Sequence, residues 1–237
     1  MSLCGLDIGT TGSKAVVYST DGSLLASAYR EYPIHHDRPG WAELDSQFVW
    51  DRICEILSEV VAATENDPIQ AISVSSLGEA MVPVSHDRTI LGNSILCMDA
   101  RGQEYVDELL GKISQRDFYA INPNHIGAAY SMPKLRWIKD HCRDIYDKAD
   151  WFLSWADFIG FMLGGQPAAA SSLADRTLLL DVKRNCWSPN LLKLCCLEDL
   201  AEKLPPVVPA GETVGTIGSH IAEKLSLPKD VKIITGG

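Results

Sequence analysis

The stretch Leu6-Asp7-Ile8-Gly9-Thr10-Thr11-Gly12-Ser13-Lys14 places a carboxylate, two hydroxyls flanked by glycines, and an ammonium close together. A Gly/Thr turn of this kind can leave backbone N–H groups pointing outward, which suits phosphate oxygens, and its glycines can take positive φ. It is not a Walker loop, because the GxxxxGK[ST] spacing is absent, and it is not a Rossmann fingerprint, because GxGxxG does not occur. A carboxylate alone would repel a phosphate. Asp7 makes sense if Mg²⁺ lies between the two, mostly through water, as hard cations prefer. The plainer alternative is a hairpin with an exposed aspartate.

The flanking sequence must position these groups. An apolar run precedes the stretch, and KAVVYSTDGSLLASAYREY follows it: a strand, a turn at Asp21-Gly22, and another strand. The opening therefore reads as an antiparallel meander. SQFVWDRICEILSEVVAATEN then predicts an amphipathic helix with Val49, Ile53, Ile56, Leu57 and Val60 on one face and Asp45 or Ser46 as N-cap. IQAISVSSLGEAMVPVSHDRTILGN predicts two strands with turns at Ser75–Glu79 and near His86–Arg88. SILCMD predicts a further strand, and GQEYVDELLGKI a helix. The order β-β-β-α-β-β-β-α is that of a ribonuclease-H-like nucleotide-binding domain.

Composition excludes several classes of function. The chain has 237 residues, a formal net charge of −10, 46% hydrophobic and 22% charged residues, as in ordinary globular proteins. An acidic balance without a basic run argues against nucleic acid and against an anionic membrane surface. No apolar stretch reaches bilayer length, and the N-terminus does not read as a signal peptide. Seven cysteines without CxxC spacing, two of them adjacent at Cys195 and Cys196, fit a reduced, cytoplasmic protein. His35, His36, His86, His125, His141 and His220 show no metal spacing.

Several blocks occur in one order along nearly the whole chain: LDIGTTGSKAVVYSTDG, RPGWAELD, AISVSSLGEAMVPV, MDARGQ, SMPKLRWIKDH, WADFIGFMLGG, LLLDVKRNCWS and TVGTIGSHIAEKLSLPKDVKIITGG. In these the chain resembles the N-terminal part of the FGGY family of carbohydrate kinases. The resemblance implies an α/β, actin/hexokinase-type domain with a mixed five-stranded sheet flanked by helices. Residues 1–112 and 206–237 would form that core, with a mostly helical insertion at 113–205 and the proline-rich LPPVVPAGE as the return connection. It implies transfer of a phosphoryl group from MgATP to a sugar or polyol hydroxyl, with xylulose the leading substrate. Asp7 would serve the Mg²⁺, and Thr10, Thr11, Gly12, Ser13 and Lys14 the ATP phosphates. The general-base aspartate would follow Gly237 and a second domain would supply most of the adenine pocket, so the chain reads as an N-terminal fragment, inactive alone. Self-association as a homodimer would be in keeping with the family.

The same resemblance places Gly78 and Glu79 on the sugar-contacting turn, without the His or Arg of the well-known subgroups. A carboxylate there suits neighbouring hydroxyls better than a sugar acid. Asp99 and Arg101 match a D-x-R pattern at a strand end, facing either a ligand crevice or each other as an ion pair. Tyr130 lies where the insertion covers the sugar. Asp157 matches a recurrent aspartate but reads as a structural hydrogen-bonding group, and Trp41 as packing. Two rivals remain: another ATPase of the actin/hexokinase superfamily, and a non-catalytic sugar-binding or sensor module.

Overall fold

The computed structural model describes residues 1–237. In chain order its first half comprises β1 (Ser2–Ile8), β2 (Gly12–Ser19), β3 (Leu24–Glu31), β4 (Glu43–Leu44), α1 (Ser46–Ala63), β5 (Ile69–Ser76), β6 (Met81–Val84), β7 (Ser94–Ile95) and α2 (Gln103–Leu110). Then follow α3 (Gln115–Tyr119), α4 (Ser131–His141), α5 (Arg143–Lys148), β8 (Trp151–Ser154), α6 (Trp155–Leu163), β9 (Ala169–Ala170) and α7 (Ser171–Asp175). The last elements are β10 (Leu180–Asp181), β11 (Cys186–Trp187), α8 (Pro189–Leu194), a 3₁₀ turn, β12 (Val207–Val208), β13 (Thr213–Thr216), α9 (Ser219–Leu225) and β14 (Lys232–Ile234).

The meander forms as its alternation dictates. β1 buries Cys4, Leu6 and Ile8 and turns Leu3, Gly5 and Asp7 outward, the period of two that a strand imposes. β1–β2 and β2–β3 pair antiparallel, and Gly22 takes φ +88° in the turn before β3. α1 begins at Asp45, whose carboxylate accepts the Phe48 N–H at 2.9 Å. Its stripe of Val49, Ile53, Ile56, Leu57 and Val60 is buried against the meander. Burying each such side chain stabilises the fold by roughly 1.5–3 kcal/mol.

The main sheet has six strands, not the five expected, in the order β13-β14-β5-β1-β2-β3. β5 runs parallel to β1, β14 parallel to β5, and β13 closes the edge antiparallel. The strands predicted after β5 leave this sheet. β6 pairs with β8 and β7 with β4, each as a two-stranded ladder. β6 is buried at all four positions and carries Pro83, which lacks a ladder donor, so a small separate ladder suits it.

Two cores result. One joins the sheet to α1, α6 and α9 and takes Val82 and Val84 of β6; the other gathers α2, α4, α5 and α8 with Met81 of β6 and Ile95 of β7. The segment Trp151–Leu163, inside the expected insertion at 113–205, packs largely in the first core. There the Trp155 indole N–H donates to Ser94 Oγ at 2.9 Å.

Candidate active site

β1 and β5 end side by side, and their ends assemble the predicted groups. Asp7 is in register with Lys14 on β2 and with Ser75 on β5. All three face the side of the sheet that no helix covers, in a cleft of about 350 Å³ lined also by Gly5, Ser73 and Gly236. Gly236 is required there, because a Cβ would collide with the Val74 carbonyl.

The hairpin beyond β1 corrects two expectations. Gly9 and Gly12 do not take positive φ. Gly9 N–H donates to Gly12 O at 3.0 Å, and the ring of Tyr29 occupies the space that a Cβ on Gly12 would need. Ser13 does not face a phosphate. It is buried on the covered face of β2, where its hydroxyl and that of Tyr32 lie 2.8 Å apart. The Tyr32 hydroxyl donates to Gly9 O at 2.7 Å, so Ser13 is the donor to Tyr32. Burial pushes the Tyr32 phenol up to about 12, which keeps that donor protonated. The backbone at Gly12 remains in the hairpin, with Thr10 half-buried and Thr11 exposed at its tip.

Glu79 stands in the turn after β5, next to the same strand ends. Its Oε1 accepts Arg176 Nε at 2.9 Å and Nη2 at 2.6 Å. Arg176 Nη1 donates to Asn124 Oδ1 at 3.1 Å, and the guanidinium lies 4.6 Å from the centroid of the Tyr130 ring. Burial opposes the charge on Arg176, but the bond to Glu79 outweighs it and raises the pKa. Gly78 makes room, since a Cβ would come 3.1 Å from Arg176 Cγ. Ser131 Oγ ties down the Glu79 carbonyl at 2.5 Å. Gly78, Glu79 and Tyr130 are thus brought together, and Arg176 and Asn124 are the partners that sequence reasoning missed.

Asp99 and Arg101 form an internal ion pair. Asp99 accepts Arg101 Nε at 2.9 Å and Nη2 at 2.6 Å, and Ala42 N–H at 2.6 Å. Arg101 also reaches Glu43 at 2.7 Å and stacks on Trp41, 3.7 Å from its centroid. Burial works against the Asp99 charge, yet the bonds from Arg101 and Ala42 hold its pKa below the usual value. Lys134 Nζ pins the carbonyls of Asp99 and Arg101 at 2.6 Å each. Arg101 lines a different cleft, with Trp41, Glu43 and Trp137, and not the one containing Asp7. Of the two readings of D-x-R, the geometry matches the ion pair.

Asp157 is buried in α6. Its Oδ1 accepts Ala170 N–H at 3.1 Å, its Oδ2 has no partner, and burial pushes its pKa up to about 7. It ties α6 to the start of α7 and therefore belongs to the scaffold under Arg176.

No cluster of three metal-ligating side chains occurs in the chain. A cation near Asp7 would hold one carboxylate, with water and phosphate oxygens completing its shell. That donor set fits Mg²⁺ and would not hold zinc. No helix is long and apolar enough to cross a membrane.

Several known proteins resemble the chain over nearly its whole length. The chain is 27% identical over 235 residues to the xylulose kinase of Bacillus subtilis (strain 168), covering 98% of this chain and 46% of that protein. It is 30% identical over 244 aligned residues to an autoinducer-2 kinase of Escherichia coli (strain SMS-3-5 / SECEC), covering 99% of this chain and 45% of that protein. The crystal structure of xylulose kinase from Rhodospirillum rubrum superposes with a TM-score of 0.92 at 26% identity, over 100% of this chain and 49% of that one. The chain thus spans about half the length of the relatives it matches. The family model for the N-terminal domain of FGGY carbohydrate kinases matches residues 2–237, and the chain belongs to that family.

Proposed function

We propose that this chain is the sugar-holding and phosphate-facing half of an ATP-dependent kinase acting on a sugar or polyol hydroxyl. The observation that carries this reading is the shared strand edge. Asp7 and Lys14 open onto a groove that runs along the uncovered sheet face from Tyr18 towards the end of β1, and the turn bearing Gly78 and Glu79, which does not line that groove, follows the adjacent, parallel β5. Ligands of α/β sheets collect at such carboxyl ends. In this reading Lys14 and the hairpin amides of Thr10–Gly12 meet phosphate oxygens, and Asp7 holds Mg²⁺ through water. Glu79 accepts a sugar hydroxyl, while Tyr130 packs under its partner Arg176. Mg²⁺, when bound, neutralises charge on the transferring phosphoryl group. Xylulose is one candidate substrate among ketoses and polyols. The general base and most of the adenine pocket would come from a second domain, and residues 1–237 alone would not turn over.

The experiment is a thermal-shift panel of ketoses, polyols and sugar acids on residues 1–237, paired with an ADP-release assay. A ligand at a hundred times its Kd should add about 2.7 kcal/mol, or roughly 5–10 °C for a chain of this size. A shift by a ketose or polyol without ADP release is the expected result. A panel that shifts nothing overturns the sugar site, and sugar-dependent ADP release overturns the dependence on a second domain.

A further inference from the structure

Glu79 and Arg176 do not form the usual fork-to-fork pair, in which both carboxylate oxygens are engaged. Both guanidinium contacts converge on Oε1, at 2.9 and 2.6 Å, and Oε2 is left without a protein donor. Arg176 has five N–H groups. One from Nε and one from Nη2 go to Glu79, and one from Nη1 goes to Asn124 Oδ1. Two remain without a hydrogen-bonded partner of good geometry, one on each terminal nitrogen, with the Tyr130 hydroxyl near enough to favour the Arg176 charge. The side chains are 37% and 19% exposed for Arg176 and Glu79, so the free donor and the free acceptor can both meet a ligand.

The pair is also held still. The Tyr130 ring packs 4.6 Å from the guanidinium, and Asn124 is fixed by Nδ2 donating to Asp175 Oδ1 at 3.0 Å. The missing Cβ of Gly78 is where the Arg176 stem passes. A clamp fixed in this way loses little entropy when it binds.

Building on the sugar-site reading above, we propose that Arg176 is a substrate-reading residue, and that it and Glu79 together recognise a neutral vicinal diol. One hydroxyl donates to Glu79 Oε2, and its neighbour accepts a free N–H of Arg176. The formal charges of the pair cancel. A sugar acid's carboxylate brought to it would meet repulsion from the Glu79 carboxylate, only 2.6 Å from the nearest of the Arg176 donors that attract it, whereas a diol satisfies both partners. The site therefore selects ketoses and polyols over aldonates.

Isothermal titration of residues 1–237 with a ketopentose, a pentitol, their analogues lacking one hydroxyl of the diol, and gluconate tests this. Wild type should bind the best diol about tenfold more tightly than its deoxy analogue and than gluconate. Arg176→Met should weaken the diol about tenfold and abolish the deoxy penalty, with circular dichroism unchanged. If Arg176→Met unfolds, Arg176→Lys gives the same test, because it keeps the charge but loses the planar fork, and the deoxy penalty should shrink. Diol binding that persists at wild-type strength, or with its deoxy penalty intact, in the folded Arg176 variant overturns the clamp and leaves the sugar site standing. If wild type binds no member of the panel, the clamp and the sugar site fall together.

Discussion

Asp157 shows how a single buried group sets a pH limit. Burial raises its pKa from the ordinary 3.8 to about 7, and the one backbone donor, Ala170 N–H, offsets this only partly. A carboxyl raised on folding supports stability fully below its unfolded pKa and loses that support as pH rises through its folded pKa. The window here runs from about pH 4 to about pH 7. A three-unit shift corresponds to at most about 4 kcal/mol. Asp157→Asn keeps an acceptor for Ala170 and removes the titration. Urea unfolding at pH 5 and pH 7.5 should show wild type losing ground to Asp157→Asn as pH rises; a constant gap would mean that Asp157 does not titrate in this range. The site residues differ in how far the sequence revealed them. The alternation of β2 places Lys14 on the face of Asp7 and Ser13 on the face of Ala15 and Val17, so the burial of Ser13 was legible in principle. The partnership of Glu79 with Arg176 was not, because 97 residues separate them. No local pattern encodes a contact of that range.

At the scale of elements, what could be read followed from periodicity. α1 and the meander carry clean periods of 3.6 and 2, and their ends have cap and turn residues. β6 and β7 carry neither signal, since all their positions are buried, and nothing in MVPV or SI says which strand is their partner. TVGTI reads as a strand from its sequence, but its place as the sixth strand of the sheet was hidden, because that depends on β14 entering between it and β5. Close approaches between elements were hidden in the same way. Gly164 ends α6 at φ +126°, and a Cβ there would collide with the backbone of Gly218 and lie 2.9 Å from Thr216 O. Gly22 also has positive φ, at +88°, but faces open space. Gly164→Ala should therefore cost about 3 kcal/mol or more, from strain plus overpacking, while Gly22→Ala should cost about 1 kcal/mol. Denaturant midpoints of the two variants, measured side by side, check this; equal losses would show that α6 can shift away from the start of α9.

The whole molecule has a one-sided sheet. α1, α6 and α9 cover the face of Cys4, Leu6, Ile8, Ala15, Val17, Ile72 and Ile233. The opposite face exposes Leu3 at 49% and Tyr18 at 46%, with Val16 half-buried, along the groove that holds Asp7. In β1 and β2 these are outward positions of the same alternation that buries the core, so water meets a row of apolar side chains there. Contiguous exposed apolar surface favours association, and solution measurements test whether this face does so. Residues 1–237 should bind a hydrophobic dye and show concentration-dependent mass in sedimentation. Leu3→Lys with Tyr18→Thr should reduce both while leaving the unfolding midpoint nearly unchanged, because neither side chain contributes to the core and exposed substitutions usually stay within about 0.5 kcal/mol. Dye binding that persists in the double variant would place the apolar surface elsewhere, with Leu24 and Leu25 on β3 the next positions to change.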